Sequence, residues 1–189
     1  MDMIKYSYMR TGGKVVELNS SCFFTGHRII VEKDIKWMKG CLHRVCLRLI
    51  TEYGVSDFIA GGALGFDTVA ADTVIWLRRK YDIRLHLYLP CQNQIRGWNK
   101  ASKEEYNRIC EEADEVRLIT NGPYYDGCMQ KRNRAMVDSA RFGIAYCTAK
   151  RGGTYSTLSY AAKRGRKVSV ITNEGRGFFT DIFEHYYIP

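Results

Sequence analysis

Six short apolar runs, each followed by a segment of different periodicity, constrain this chain more than any other feature. The runs are Ser21–Thr25, Asp57–Ala60, Leu85–Leu89, Glu115–Ile119, Phe142–Tyr146 and Val168–Ile171. Between the first two, Ile35, Met38, Leu42, Val45 and Leu49 recur at spacings 3, 4, 3 and 4, the buried stripe of a helix over about 33–52 that Gly54 can end. Further helices are predicted over Asp67–Tyr81, near 102–112, near 130–140 and over Tyr155–Arg164. Short, continuously apolar strands separated by helices specify a parallel sheet covered on both faces. Right-handed crossovers then give an α/β, Rossmann-like, doubly wound and mostly parallel sheet of about six strands. Residues 1–19 lack periodicity and read as an N-terminal extension to a single domain over 20–189. The aromatic-rich tail, 173–189, leaves room for one short final element.

Composition narrows the function classes. A chain of 189 residues that is 46% hydrophobic can fill one core, and three prolines with no low-complexity tract exclude disorder. No apolar run reaches the roughly 20 residues of a membrane span. The start, Met1-Asp2-Met3-Ile4-Lys5-Tyr6, carries no apolar stretch, so a cytoplasmic location is expected. Seven cysteines without a C-x-x-C pair give neither a disulfide framework nor a metal site, and read as reduced, mostly buried thiols. The net charge of +9 is unevenly spread: Lys131–Lys167 holds ten basic residues and one acid, Asp138, while the remainder is neutral. Such a block favours anionic partners.

In a parallel sheet, ligands bind beyond the carboxyl ends of the strands. Every unusual cluster here follows a strand. Gly61-Gly62-Ala63-Leu64-Gly65-Phe66-Asp67 opens a helix with the glycines and free N–H groups that suit an anion, although its spacing is neither the dinucleotide fingerprint nor a P-loop. Gly152-Gly153-Thr154, with the hydroxyls of Ser156 and Thr157 beyond it, repeats that architecture inside the basic block. Arg132, Asn133 and Arg134 open another helix; an arginine there can clamp a phosphate, but positions 132 and 134 face different ways. Thr25-Gly26-His27-Arg28 follows the first strand, where His27 has phosphate-binding, ribose-binding, acid–base and purely structural readings. Gln94 and Trp98 can hydrogen-bond to and stack on a base.

In this order the motifs resemble those of the SLOG superfamily, the Rossmann-like group named from Smf/DprA and LOG proteins, and within it the YpsA-like branch. The resemblance runs from about Ser21 to Ile171. It rests on Thr25-Gly26-His27-Arg28, Gly61-Gly62-x-x-Gly65-x-Asp67, Pro90-x-x-x-Gln94-x-x-x-Trp98 with Tyr106, Arg132-Asn133-Arg134-x-Met136-Val137-Asp138, and Gly152-Gly153-Thr154 with Tyr160-Ala161. It implies a pocket for a nucleotide or nucleotide-derived ligand, ADP-ribose-like or cyclic, held as a signal or sequestered. It also implies self-association, and an affinity with anti-phage conflict systems. LOG enzymes hydrolyse cytokinin ribotides and DprA binds single-stranded DNA, so an N-glycosidic or phosphate hydrolase and a single-strand binder are the alternatives. Against the LOG motif P-G-G-x-G-T-x-x-E, this chain has Arg151 for the proline, Tyr155 for the third glycine and Ser159 for the catalytic glutamate. A hydroxyl cannot replace a carboxylate base, which leaves Asp67, aided by His27, as the candidate catalyst if there is one. No metal and no resident cofactor is expected besides the bound ligand.

Overall fold

The computed structural model describes residues 16–171 and the backbone of 178–181 and 184–187. Strands β1 (Ser21–Gly26), β2 (Asp57–Ala60), β3 (Arg84–Leu89), β4 (Glu115–Leu118), β5 (Phe142–Tyr146) and β6 (Lys167–Ile171) alternate with helices α1 (Glu32–Tyr53), α2 (Phe66–Leu77), α3 (Lys100–Glu112), α4 (Cys128–Asp138) and α5 (Gly152–Lys163). Two further strands, β7 (Phe178–Asp181) and β8 (Glu184–Tyr187), follow. The sheet order is β4-β3-β2-β1-β5-β6-β7-β8. Pairing is parallel from β4 through β6 and antiparallel at β6–β7 and β7–β8.

The expected architecture is therefore present, and the tail supplies an antiparallel hairpin rather than one short element. The first 15 residues of the expected N-terminal extension lie outside the described residues; its end forms a short 3-10 turn over Leu18–Ser20. Helix ends depart from expectation by a few residues. α2 stops at Leu77, four residues before Tyr81, and α5 begins at Gly152 because its glycines are the first turn itself rather than a loop before it.

The period of two along each strand sorts the core into two layers. Cys22, Phe24, Phe58, Ala60, Leu85, Leu87 and Ile144 face α1, α2 and α3. Phe23, Ile59, Tyr88 and Ala145 face α4 and α5, where Met136, Val137 and Ala161 meet them. Six of the seven cysteines are buried thiols and Cys147 is half-buried. No helix among the described residues is long and apolar enough to cross a membrane.

One polar row interrupts the second layer. His86, on β3, bridges Asp57 on β2 (2.7 Å) and Glu115 on β4 (2.9 Å) through its two ring nitrogens. Arg84 closes one end with two bonds to Asp57 (2.7 and 2.8 Å), and Arg117 the other through Glu115 (2.9 Å) while lying over the Tyr88 ring. Burial pushes the Asp57 carboxyl up, but bonds from His86, Arg84 and Ser56 outweigh it and hold it well below the usual carboxylate range. Asp57 therefore contributes stability above its ordinary pKa of about 4, and that contribution is lost as pH falls through the depressed value. We predict that His86→Leu, which removes the two bonds joining Asp57 to Glu115 and leaves Arg84 and Arg117 as their remaining charged partners, lowers unfolding stability by about 1–3 kcal/mol in a urea titration at neutral pH. A loss under about 1 kcal/mol would show that the row carries little of the fold's stability.

Candidate nucleotide site at the strand switch point

The strand order fixes where the chain can build a crevice. From β1 the sheet grows through β2, β3 and β4 on one side, then resumes at β5 on the other. The loops leaving β1 and β5 consequently diverge to opposite faces, and the gap between them opens at the carboxyl edge. A pocket of about 330 Å³ occupies that gap. Thr25, Gly26, His27 and Arg28 line it from β1, Asp67 from α2, Arg132 and Asn133 from α4, and Gly153 and Thr154 from α5.

Below the opening, a buried ion pair joins the two helical layers. Asp67 stands in the first turn of α2 and Arg132 in the second turn of α4; both are buried, with Nη1 of the arginine 3.8 Å from Oδ2 of the aspartate. Arg132 also donates to the Gly61 carbonyl at the end of β2, and the Ala63 N–H donates to Asp67 Oδ2 (3.2 Å). Burial pushes the Asp67 carboxyl up, opposed by the Arg132 charge and by amides of the glycine loop. A Cβ at position 61 would strike the guanidinium of Arg132 and the carboxylate of Asp67, so the pair can form only beneath a glycine. Gly65 has a parallel reason: its φ is +79°, and a Cβ there would strike the carbonyls of His27 and Arg28.

The network continues outward along α4. Arg132 Nε donates to Asn133 Oδ1 (2.8 Å), Asn133 Nδ2 donates to Thr157 Oγ1 (2.9 Å), and the Thr157 hydroxyl donates to the Gly153 carbonyl (2.8 Å). Both glycine-rich helix starts are thus tied to one arginine. His27 makes the remaining cross-tie, because its Nε2 accepts the Thr148 backbone N–H (2.9 Å) across the mouth between β1 and β5. Burial lowers the His27 pKa, and a nitrogen that accepts a backbone N–H carries no proton, so the ring is neutral with Nδ1–H as its free donor.

Two groups at the opening lack such partners. The α5 N-terminus has no side-chain cap: Arg151 occupies the cap position without bonding back, and the first-turn residues Gly153 and Thr154 face the pocket. Arg28 is exposed on the opposite wall; its guanidinium reaches the Met129 thioether (3.8 Å) and no carboxylate among the described residues. An uncapped helix start, whose orphan amides carry the positive end of the helix dipole, thus faces an exposed guanidinium with no ion-pair partner among the described residues.

The remaining sequence candidates divide. Gly62 is part of the loop after β2, and its carbonyl accepts from Gln94 Nε2 (2.9 Å), so Gln94 props the loop from behind. Trp98 packs edge-on against Tyr106, with ring centroids 5.7 Å apart. Neither lines the pocket, because β3 lies two strand spacings, roughly 10 Å, from β1. Arg132 and Arg134 do face different ways. Arg134 lies exposed over the Tyr160 ring, 5.5 Å from its centroid, in a second depression of about 310 Å³ that Ser156 and Thr157 also line. Gly152 precedes both hollows at the α5 start, and Ser159, at the position of the LOG glutamate, bonds back to the Tyr155 carbonyl (3.0 Å).

Known proteins resemble the chain in sequence and in fold. A family model described as the YspA SLOG family (model name YpsA) matches residues 12–170. The chain belongs to that SLOG family. Its relatives include the SPbeta prophage-derived protein YoqJ of Bacillus subtilis, 31% identical over 67% of this chain and 81% of that protein. A UPF0398 protein of Halalkalibacterium halodurans is 35% identical over 82% of this chain and 79% of the relative, and one of Macrococcus caseolyticus is 32% identical over 90% and 92%. Among solved structures, DNA processing protein A of Helicobacter pylori, studied for its single-stranded DNA binding mode, superposes with a TM-score of 0.59 at 15% identity. Its Streptococcus pneumoniae counterpart gives 0.56 at 17%. The chain covers 66% and 49% of those two structures, and at such identities the likeness is one of fold.

The SLOG fold also divides the basic block. Because α5 runs from the carboxyl edge of the sheet to the amino edge, Lys131, Arg132, Arg134, Lys150 and Arg151 lie toward the rim, while Arg141, Arg164, Arg166 and Lys167 collect at the opposite pole. There Arg164 pairs with Asp138 (2.8 Å) and Arg166 donates to the Val137 carbonyl (3.0 Å). Sequence reasoning missed Thr148 and Met129 at the rim. A position two residues beyond β5 was a signal for the first; nothing in the sequence distinguishes the second. We predict that Arg132→Leu costs about 3–5 kcal/mol of unfolding stability by leaving Asp67 buried and unpaired. Adding Asp67→Leu should return part of it, with a coupling of more than about 1 kcal/mol in a double-mutant cycle. Strict additivity would contradict the pairing.

Proposed function

We propose that the protein binds a small, phosphate-bearing nucleotide or nucleotide derivative in the pocket between β1 and β5, and acts as its sensor or sequestering protein. The observation that carries this reading is the uncapped start of α5 at Gly152–Thr154, facing across the pocket an exposed Arg28 that makes no ion pair among the described residues. Phosphate oxygens complete the orphan amides of a helix start and take the favourable end of its dipole, while a guanidinium matches them bidentately. His27 Nδ1–H and the Thr25 and Thr154 hydroxyls offer donors for a sugar or a second phosphate oxygen. The volume is within the range of small-molecule sites. Turnover is the weaker reading: Ser159 replaces the LOG glutamate, and Asp67 is engaged by Arg132 and the Ala63 amide.

Binding of single-stranded DNA is the second reading, favoured by the fold likeness to the Helicobacter pylori protein studied for that mode. The two separate in one experiment. A mononucleotide, dinucleotide or cyclic nucleotide present at about 100 times its dissociation constant should raise stability by roughly 2.7 kcal/mol in thermal unfolding. Arg28→Ala should weaken that ligand tenfold or more with unchanged stability of the free protein. No stabilisation by any nucleotide, together with a steep negative log–log salt dependence for a short single strand, would favour the second reading.

A further inference from the structure

The switch-point pocket has a neighbour. Helices α4 and α5 leave between them a groove of about 310 Å³, and it shares two wall residues, Asn133 and Gly153, with the pocket. Both hollows therefore border the α5 N-terminus, where the uncapped first turn lies, with the Asn133–Thr157 bond (2.9 Å) as the low divide between them.

The groove has its own chemistry. Arg134 and Lys163 line it; both are exposed, and neither meets a carboxylate among the described residues. The acid nearby, Asp138, is engaged by the Tyr160 hydroxyl (3.0 and 3.1 Å) and by Arg164 at the far end. Tyr160 is thereby fixed, with the Arg134 guanidinium against its ring. Tyr155 stands 43% exposed at the upper end, a flat apolar face left to solvent, in the same groove as the two cations; Lys163 lies eight residues, roughly 12 Å, further along α5. From Gly153 to Lys163 the groove follows ten residues of helix, roughly 15 Å. Ser156 and Ser159 donate to their own helix carbonyls and present only acceptor capacity to the groove.

We infer that pocket and groove are one two-part site for a dinucleotide unit. This rests on the nucleotide-binding reading of the pocket. One phosphate occupies the α5 N-terminus opposite Arg28, and its nucleoside fills the switch-point pocket. The chain of the ligand crosses Asn133 and Gly153 into the groove. There Arg134 and Lys163 neutralise the second phosphate, and the second base lies on Tyr155. A dinucleotide unit occurs as a free small molecule or as part of a longer strand, and both present this chemistry.

Calorimetric titration of the full chain at fixed ionic strength with AMP, 5′-phosphorylated diadenylate and a ten-residue oligoadenylate tests the inference, with the guanine mononucleotide and dinucleotide in parallel. The dinucleotide should bind at least tenfold more tightly than the mononucleotide. Arg134→Ala combined with Lys163→Ala should bring the dinucleotide down to the mononucleotide's affinity and leave the mononucleotide within twofold. A dinucleotide no tighter than its mononucleotide, or a double variant that weakens both equally, overturns the two-part site while the pocket stands. Absence of binding by both nucleotides overturns the pocket reading as well. A decamer that exceeds the dinucleotide, and loses that excess in the double variant, assigns the unit to a strand; equal affinities assign it to a free dinucleotide.

Discussion

The architecture of this site hangs on one buried ion pair. Asp67 and Arg132 come from helices on opposite faces of the sheet, and they meet above its carboxyl edge with the Gly61 carbonyl as third partner. Two charges out of water are expensive unless each is paired and its remaining hydrogen-bonding capacity is used. Here the aspartate accepts the Ala63 amide and the arginine directs its Nε to Asn133. That requirement explains residues which otherwise look unrelated: a glycine at 61 to admit the guanidinium, and an asparagine at 133 to pass the network on to Thr157 and so to the α5 start. The pair gives rigidity to a rim whose outer donors stay unfilled.

That division of labour sorts the polar residues of the rim. The inner set, Asp67, Arg132, Asn133 and Thr157, is satisfied within the protein. His27 belongs partly to it, since one nitrogen holds Thr148 across the mouth. The outer set, Arg28, the α5 amides, Arg134 and Lys163, has no carboxylate within ion-pair distance among the described residues, although the Arg28 charge is felt at Asp67 below it. Cations without a close counter-charge, gathered along the concave rim, raise the local potential toward anions.

Much of this was legible in the chain itself. The alternation of apolar runs with helical stripes located six strands and five helices, because burial on both faces of a parallel sheet leaves a periodicity that survives without any partner information. The motifs at strand ends gave the rim for the same reason. Strand order was not legible, and it decides which strand ends are neighbours. Gln94 and Trp98 follow β3, two strands away from the switch point, so they support the loop after β2 or the packing beside it instead of lining the pocket. The pairing of Arg132 with Asp67 was hidden as well, since the two lie 65 positions apart and each alone reads as a surface ligand. The basic block shows the limit from another side: contiguous in sequence, its cations are carried by α5 to both poles of the sheet, and only some serve the rim.

The most direct measurement is nuclear magnetic resonance of the amides that begin α5, recorded while AMP is titrated at constant ionic strength. If the helix start holds a phosphate, the amide resonances of Gly152, Gly153 and Thr154 move progressively downfield and saturate, together with the Arg28 side-chain signal. If those amides stay in place while resonances elsewhere on the surface respond, the anion binds away from the switch point and the pocket between β1 and β5 is not the nucleotide site.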